Sequence, residues 1–189
     1  MPIPPFNGSG LLPPFLLDPT YRAGGSPYSA TIVELVGRFS TSPERLAILD
    51  GLIRFRADLH VFGITQGFQW IDGSFVENID ATRAPKDVDV VTFFQRPLPL
   101  RLTSDLSVAL AKNADLFYSP RTKLKYMTDA YFVDLDVDGT SIVSQTRYWF
   151  DLFSHRRGDQ HRKGMLEIPL GTLADDSEAA KMLKMGGDP

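Results

Sequence analysis

The chain has 189 residues, 43% of them hydrophobic and 23% charged, with a net charge of -3 and no cysteine. That is the composition of a soluble globular protein; it excludes disulfide scaffolds and thiolate metal sites, and it leaves any phosphate binding to local clusters. The length suits one core rather than two, and no apolar run approaches the roughly 18 residues of a membrane-crossing helix, so a cytoplasmic single domain is expected.

Residues 1–30 are dense in Pro and Gly without any period, which predicts an extended arm pinned to the body by Phe6, Leu11, Leu12, Phe15, Leu16 and Leu17. A single domain is expected over 31–174. Within it, Ser42-Pro43-Glu44 supplies a capping oxygen, a proline for the first helical position and an acid in the positive first turn. Leu46, Leu49, Leu52, Phe55 and Leu59 then recur at helical spacing to about Val61, and Gly63 ends the helix. Phe68–Ile71 and Val88–Phe94, rich in β-branched and aromatic residues, read as strands. Thr103–Tyr118 reads as helix and Asp129–Val137 as a third strand. Asp138-Gly139 reads as a turn tolerant of positive φ, and Ser141–Phe153 as either a helix or a further strand. Residues 175–189 predict a short helix and a frayed tail. This alternation argues for an α/β or α+β fold, a small mixed sheet flanked by helices.

The chemistry concentrates in Trp70-Ile71-Asp72-Gly73-Ser74 and, twelve residues on, Asp87-Val88-Asp89. Asp87 and Asp89 are two apart on a strand, so their carboxylates leave one face about two strand rises, roughly 6.6 Å, apart. Carboxylate oxygens suit magnesium or manganese, whose remaining ligands are waters and substrate phosphates. Gly73 lets a phosphate approach the backbone, Ser74 adds a hydroxyl donor, and a helix starting there would add unpaired amides. Asp-x-Asp alone is more often a solvated strand face than a metal site; the preceding Gly-Ser makes it specific.

Gly73, Ser74, Asp87 and Asp89 resemble the signature of the polymerase-beta-type nucleotidyltransferase superfamily, a Gly-Ser after one strand and an Asp-x-Asp on the next. Residues 68–94, Asp129–Leu135 and Phe153–Arg157 also resemble a small, stand-alone bacterial branch of that superfamily. The resemblance implies a third carboxylate on a later strand, for which Asp129 is the candidate; Asp134 and Asp136 compete from the opposite face of the same strand. It further implies transfer of a nucleoside monophosphate from a nucleoside triphosphate to an acceptor hydroxyl on a protein, an RNA or a small molecule. Asp87, Asp89 and Asp129 would hold Mg2+ or Mn2+, and Asp129 would help to activate the acceptor. A toxin–antitoxin or phage-defence setting, with a partner protein, is implied in the same way.

The segment 154–164 holds the densest positive charge, and Arg156, Arg157 and Lys163 are candidate phosphate ligands. A solvated basic loop is the plainer reading. His155 and His161 lie six apart beside arginines and match no helical metal pair. Asp134–Gly139 imitates a calcium loop but reaches Gln145 where the bidentate Glu belongs. Phe68, Trp70, Phe93, Phe94 and Tyr148–Phe150 are expected in the core. There is no Walker loop, dinucleotide fingerprint or Ser-His-Asp spacing. Two other functions compete with catalysis: a non-catalytic nucleotide-binding or antitoxin-like module, and an RNA-binding protein using 154–164.

Overall fold

The computed structural model describes residues 3–17 and 24–186. In chain order the elements are β1 (Tyr28–Ser29), α1 (Ile32–Phe39), α2 (Pro43–Phe62), β2 (Gly67–Asp72), β3 (Val88–Phe94) and α3 (Thr103–Lys112). They continue with α4 (Ala114–Phe117), α5 (Ser119–Tyr126), β4 (Thr128–Asp134), α6 (Gly139–Phe153), β5 (Leu166–Pro169) and α7 (Leu173–Gly186). The described strands form one mixed five-stranded sheet in the order β1-β5-β2-β3-β4, and seven α-helices flank it. The α/β expectation therefore holds.

Strand direction explains where the helices lie. β2 pairs with β3 antiparallel, while β3 pairs with β4 parallel, so the chain must cross back through α3, α4 and α5 between them. One face of the sheet carries Ile71, Val88, Val90, Phe94, Ala130, Leu166 and Ile168. They pack on α1, α2 and α7 as the main core. The opposite face carries a smaller cluster of Trp70, Val91, Phe93 and Val133 with Met165 and Phe153, under α6. At about 25 cal/mol per Å2 of apolar surface removed from water, the larger cluster dominates stability.

The α2 reading holds in detail. The Ser42 hydroxyl accepts from the Arg45 amide at 3.3 Å, Pro43 opens the helix, and Gly63 closes it at φ 104°. Its buried face also carries charge: Arg56 donates to Asp176 at 2.5 Å, to Gln69 at 2.7 Å and to the Pro169 carbonyl at 3.0 Å. Gln69 in turn donates to Thr92 at 3.0 Å, which completes a buried polar chain joining α2, α7 and the sheet.

Several expectations need correction. The stretch Thr103–Tyr118 breaks at Asn113, and the next helix, α5, carried no periodic signal because it buries only Thr122 and Tyr126. The third strand stops at Asp134. Asp138 is not a positive-φ turn residue but the cap of α6, its carboxylate accepting from the Ser141 amide at 3.0 Å. That settles 141–153 as helix; it looked ambiguous because only Phe153 is buried along it. Tyr148 is 60% exposed and Phe150 36%, so neither belongs to the core. In the arm, Leu11 and Leu12 are buried, whereas Leu16 and Leu17 are exposed. The helix expected near the end of the chain is α7, which begins at Leu173 and buries Ala179, and the frayed end expected after it falls on residues 187–189, outside the described residues.

Gly51 marks the closest approach of α2 to the end of α5, since a Cβ there would stand 1.9 Å from the Tyr126 carbonyl oxygen. Gly51→Ala forces the two backbones apart and is expected to cost about 2–3 kcal/mol, measured by urea denaturation with the slope unchanged. A loss under about 0.5 kcal/mol would contradict this packing.

Candidate functional site

Strand register builds the site. Asp72, at the end of β2, pairs with Asp89 of β3, and Asp89 pairs with Asp129 of β4. Cross-strand partners share a face of the sheet, and Asp87, one residue before β3, joins them by sharing Lys123 with Asp129. The acids thus extend the row of residues that forms the smaller apolar cluster. Asp134 and Asp136 are excluded from this end: Asp134 pairs with Arg96 at 2.7 Å, and Asp136 accepts from the Arg96 amide at 2.6 Å.

The corner after β2 closes onto this row. Gly73 has φ 84° and ψ -171°, and a Cβ on it would meet Asp89 Oδ2 at 2.5 Å. Only glycine allows both the conformation and the approach. Ser74–Val76 is a single 3₁₀ turn, so the helix start considered for Ser74 does not form. Buried cations hold the corner from two sides. From α2, Arg45 donates to the Phe75 carbonyl, to the Glu77 carbonyl at 2.7 Å and to Asp80 at 2.7 Å. From the other side, Lys163 reaches Glu77 at 3.0 Å and the Gly73 carbonyl at 3.4 Å.

Lys163 also stands 3.1 Å from Asp72 Oδ1 without a hydrogen bond to it, and among the described residues that oxygen has no donor. We therefore read this contact as electrostatic. One ammonium faces two buried carboxylates, and burial pushes Asp72 up to about 7 despite the attraction of Lys163.

At the far side of the row Lys123, on α5, places its ammonium 2.9 Å from Asp87 and 2.8 Å from Asp129. The Ser119 hydroxyl donates to the other oxygen of Asp129. Burial alone would raise Asp129, but Lys123 and Ser119 outweigh it and hold its carboxyl below the usual range. The hydrogen bond to Asp129, then that to Asp87, raises Lys123, so the ammonium stays charged. Asp89 differs: burial, then the charges of Asp87 and Asp129, push it up, and among the described residues its carboxylate makes no ion pair or hydrogen bond.

These groups line a cleft of about 570 Å3, together with Arg83, Lys86, His155, Arg156 and Arg157. All eight residues singled out in the sequence, Gly73, Ser74, Asp87, Asp89, Asp129, Arg156, Arg157 and Lys163, reach it. They are not equally available. Lys163 is buried under the corner rather than at the surface of the basic loop, and Arg156 is tied to Asp159. His155 contacts the Asp151 carbonyl at 2.9 Å, and His161 contacts Asp159 at 3.0 Å. The segment 154–163 closes as a small hairpin through the Lys163 amide and the Ser154 carbonyl, 2.9 Å.

Sequence reading missed Asp72, Glu77, Arg83, Lys86 and Lys123. Asp72 stood inside the diagnostic stretch itself; the others lie on irregular segments or a weakly periodic helix and carried no spacing signal.

Among the described residues, no three His, Asp or Glu side chains form a ready-made metal cage. The donor set nevertheless fits a divalent cation. Asp87 and Asp89 offer hard oxygen ligands, and the burial and then the neighbouring acid charges that raise Asp89 are what such an ion would offset.

A family profile described as a family of unknown function, DUF6932, matches residues 4–169, and the chain belongs to that family. No curated protein and no solved structure matches it. Among the described residues, no helix is long and apolar enough to cross a membrane.

Asp72 gives a pH signature. Its folded value lies above the ordinary 3.8, so the folded protein keeps a proton that the unfolded chain has lost. The resulting stability is fully present below about pH 4 and is lost as pH rises to about 7. Denaturation midpoints should fall between about pH 5 and pH 8 in the wild type and much less in Asp72→Asn. Parallel curves for the two proteins would contradict the assignment.

Proposed function

We propose that this DUF6932 protein binds a nucleoside triphosphate with a divalent cation, Mg2+ or Mn2+, and transfers the nucleoside monophosphate to an acceptor hydroxyl. The observation that carries the reading is the closure of the Gly73 corner onto Asp89 within a row of in-register acids. Glycine at position 73, where a Cβ would stand 2.5 Å from Asp89 Oδ2, leaves the backbone of the corner and that acid open to the same small ligand.

In such a transfer the acceptor oxygen bonds to the α-phosphorus while the bond to the leaving pyrophosphate oxygen breaks, and the acceptor proton is released. Asp87 and Asp89 are the residues to hold the cation, which when bound supplies positive charge to the phosphate oxygens. Gly73 and Ser74 cradle the outer phosphates. Arg83, Lys86 and Arg157 line the same cleft as the acids and neutralise charge developing on the leaving group. Asp129 suits an anchoring role better than that of a proton acceptor, since Ser119 and Lys123 engage both of its oxygens. The acceptor remains a protein side chain, an RNA end or a small molecule, and a toxin–antitoxin or phage-defence partnership is a proposal of the same standing.

One observation favours a second reading, a non-catalytic nucleotide-binding or antitoxin-like module: Lys123 already neutralises two of the acids. Incubation with labelled nucleoside triphosphates, magnesium and cell extract separates the two. Catalysis predicts a labelled product that Asp87→Ala combined with Asp89→Ala reduces at least ~100-fold. Triphosphate binding without transfer would favour the module. Neither binding nor transfer, with the double variant indistinguishable from wild type, would end both.

A further inference from the structure

Lys123 is placed by its helix with little latitude. Thr122 anchors α5 to the start of β4, its hydroxyl donating to the Thr128 carbonyl at 2.8 Å, and Tyr126 is buried beneath. Ser119 and Lys123 lie four apart, hence on one face of the helix, and each engages a different oxygen of Asp129. The ammonium bridges to Asp87 at 2.9 Å, although the side chain is 43% exposed. Asp89, between the two bridged acids along the row, has no such partner among the described residues.

Phosphoryl-transfer sites that use two ions set them about 3.5–4 Å apart, bridged by carboxylates. Here one bridging position is filled by an ammonium, which carries positive charge but, having no lone pair, cannot ligate a metal. We infer that Lys123 is a built-in second cation, so that the cleft takes a single divalent ion, at Asp89 and the remaining oxygen of Asp87. The inference rests on the nucleotidyltransferase reading and deepens it. Admitting a second ion would break two charge-assisted contacts and set the ammonium beside a like charge. The lysine thus fixes the ion count of the site.

Manganese titration of the full chain, followed by electron paramagnetic resonance of the unbound ion, tests this directly. Wild type should bind one Mn2+ per chain, Lys123→Arg likewise one, and Lys123→Met two. Lys123→Gln, also neutral, gives the same comparison should the methionine variant fail to fold, as judged by circular dichroism. Two ions on wild type, or one on both neutral variants, would overturn the inference while leaving the metal site standing. No binding to wild type or either neutral variant, with Asp89→Asn unchanged, would instead overturn the metal reading itself, and the inference with it.

Discussion

Acids aligned in register across neighbouring strands repel one another, and much of this structure answers that repulsion. Asp72 and Glu77 share the buried Lys163 on one side, and Asp87 and Asp129 share Lys123 on the other. Among the described residues, Asp89 stands in the middle with only the more distant attraction of Arg157 and Lys163. Breaking a buried ion pair by deleting one partner typically costs about 3–5 kcal/mol, so the Lys163 end is as structural as the apolar core, whereas solvent screens the half-exposed Lys123 end and its pairs contribute less. What the two lysines leave without a close partner, among the described residues, is the carboxylate of Asp89, which lines the cleft.

The approach of the Gly73 corner to that carboxylate is set from a distance. Arg45 reaches from α2 to the carbonyls of Phe75 and Glu77, so the packing of α2 on the main core is transmitted to the corner. The basic hairpin is tied to the N-terminal arm, where the Gly164 amide donates to the Leu12 carbonyl at 2.8 Å and Leu12 is itself buried in the core. Lys163 sits at the base of that hairpin. Arm, hairpin and corner are therefore joined by hydrogen bonds, which favours a site of fixed geometry on the strands.

The parts of this arrangement that were legible in the sequence are the local ones. Ser42-Pro43, Gly63 and the β-branched run Val88–Phe94 declare themselves within a few residues, because caps and strand patterns are short-range. Gly73-Ser74 and Asp87-Val88-Asp89 were legible for the same reason. The choice among Asp129, Asp134 and Asp136 needed the register of β4 against β3, which alternation alone does not fix. Lys123, Arg45 and the burial of Lys163 were invisible, since each acts on at least one residue thirty or more positions away through folds of the chain that no local pattern encodes. α6 was ambiguous because a helix that buries a single residue leaves almost no periodic trace.

The most direct measurement is anomalous diffraction from crystals grown with Mn2+ and a non-hydrolysable nucleoside triphosphate. The account predicts an anomalous peak ligated by Asp89 and Asp87, with phosphate oxygens against the Gly73 and Ser74 backbone. An ion away from Asp89, or phosphates held by the basic hairpin alone with the corner bare, would contradict it.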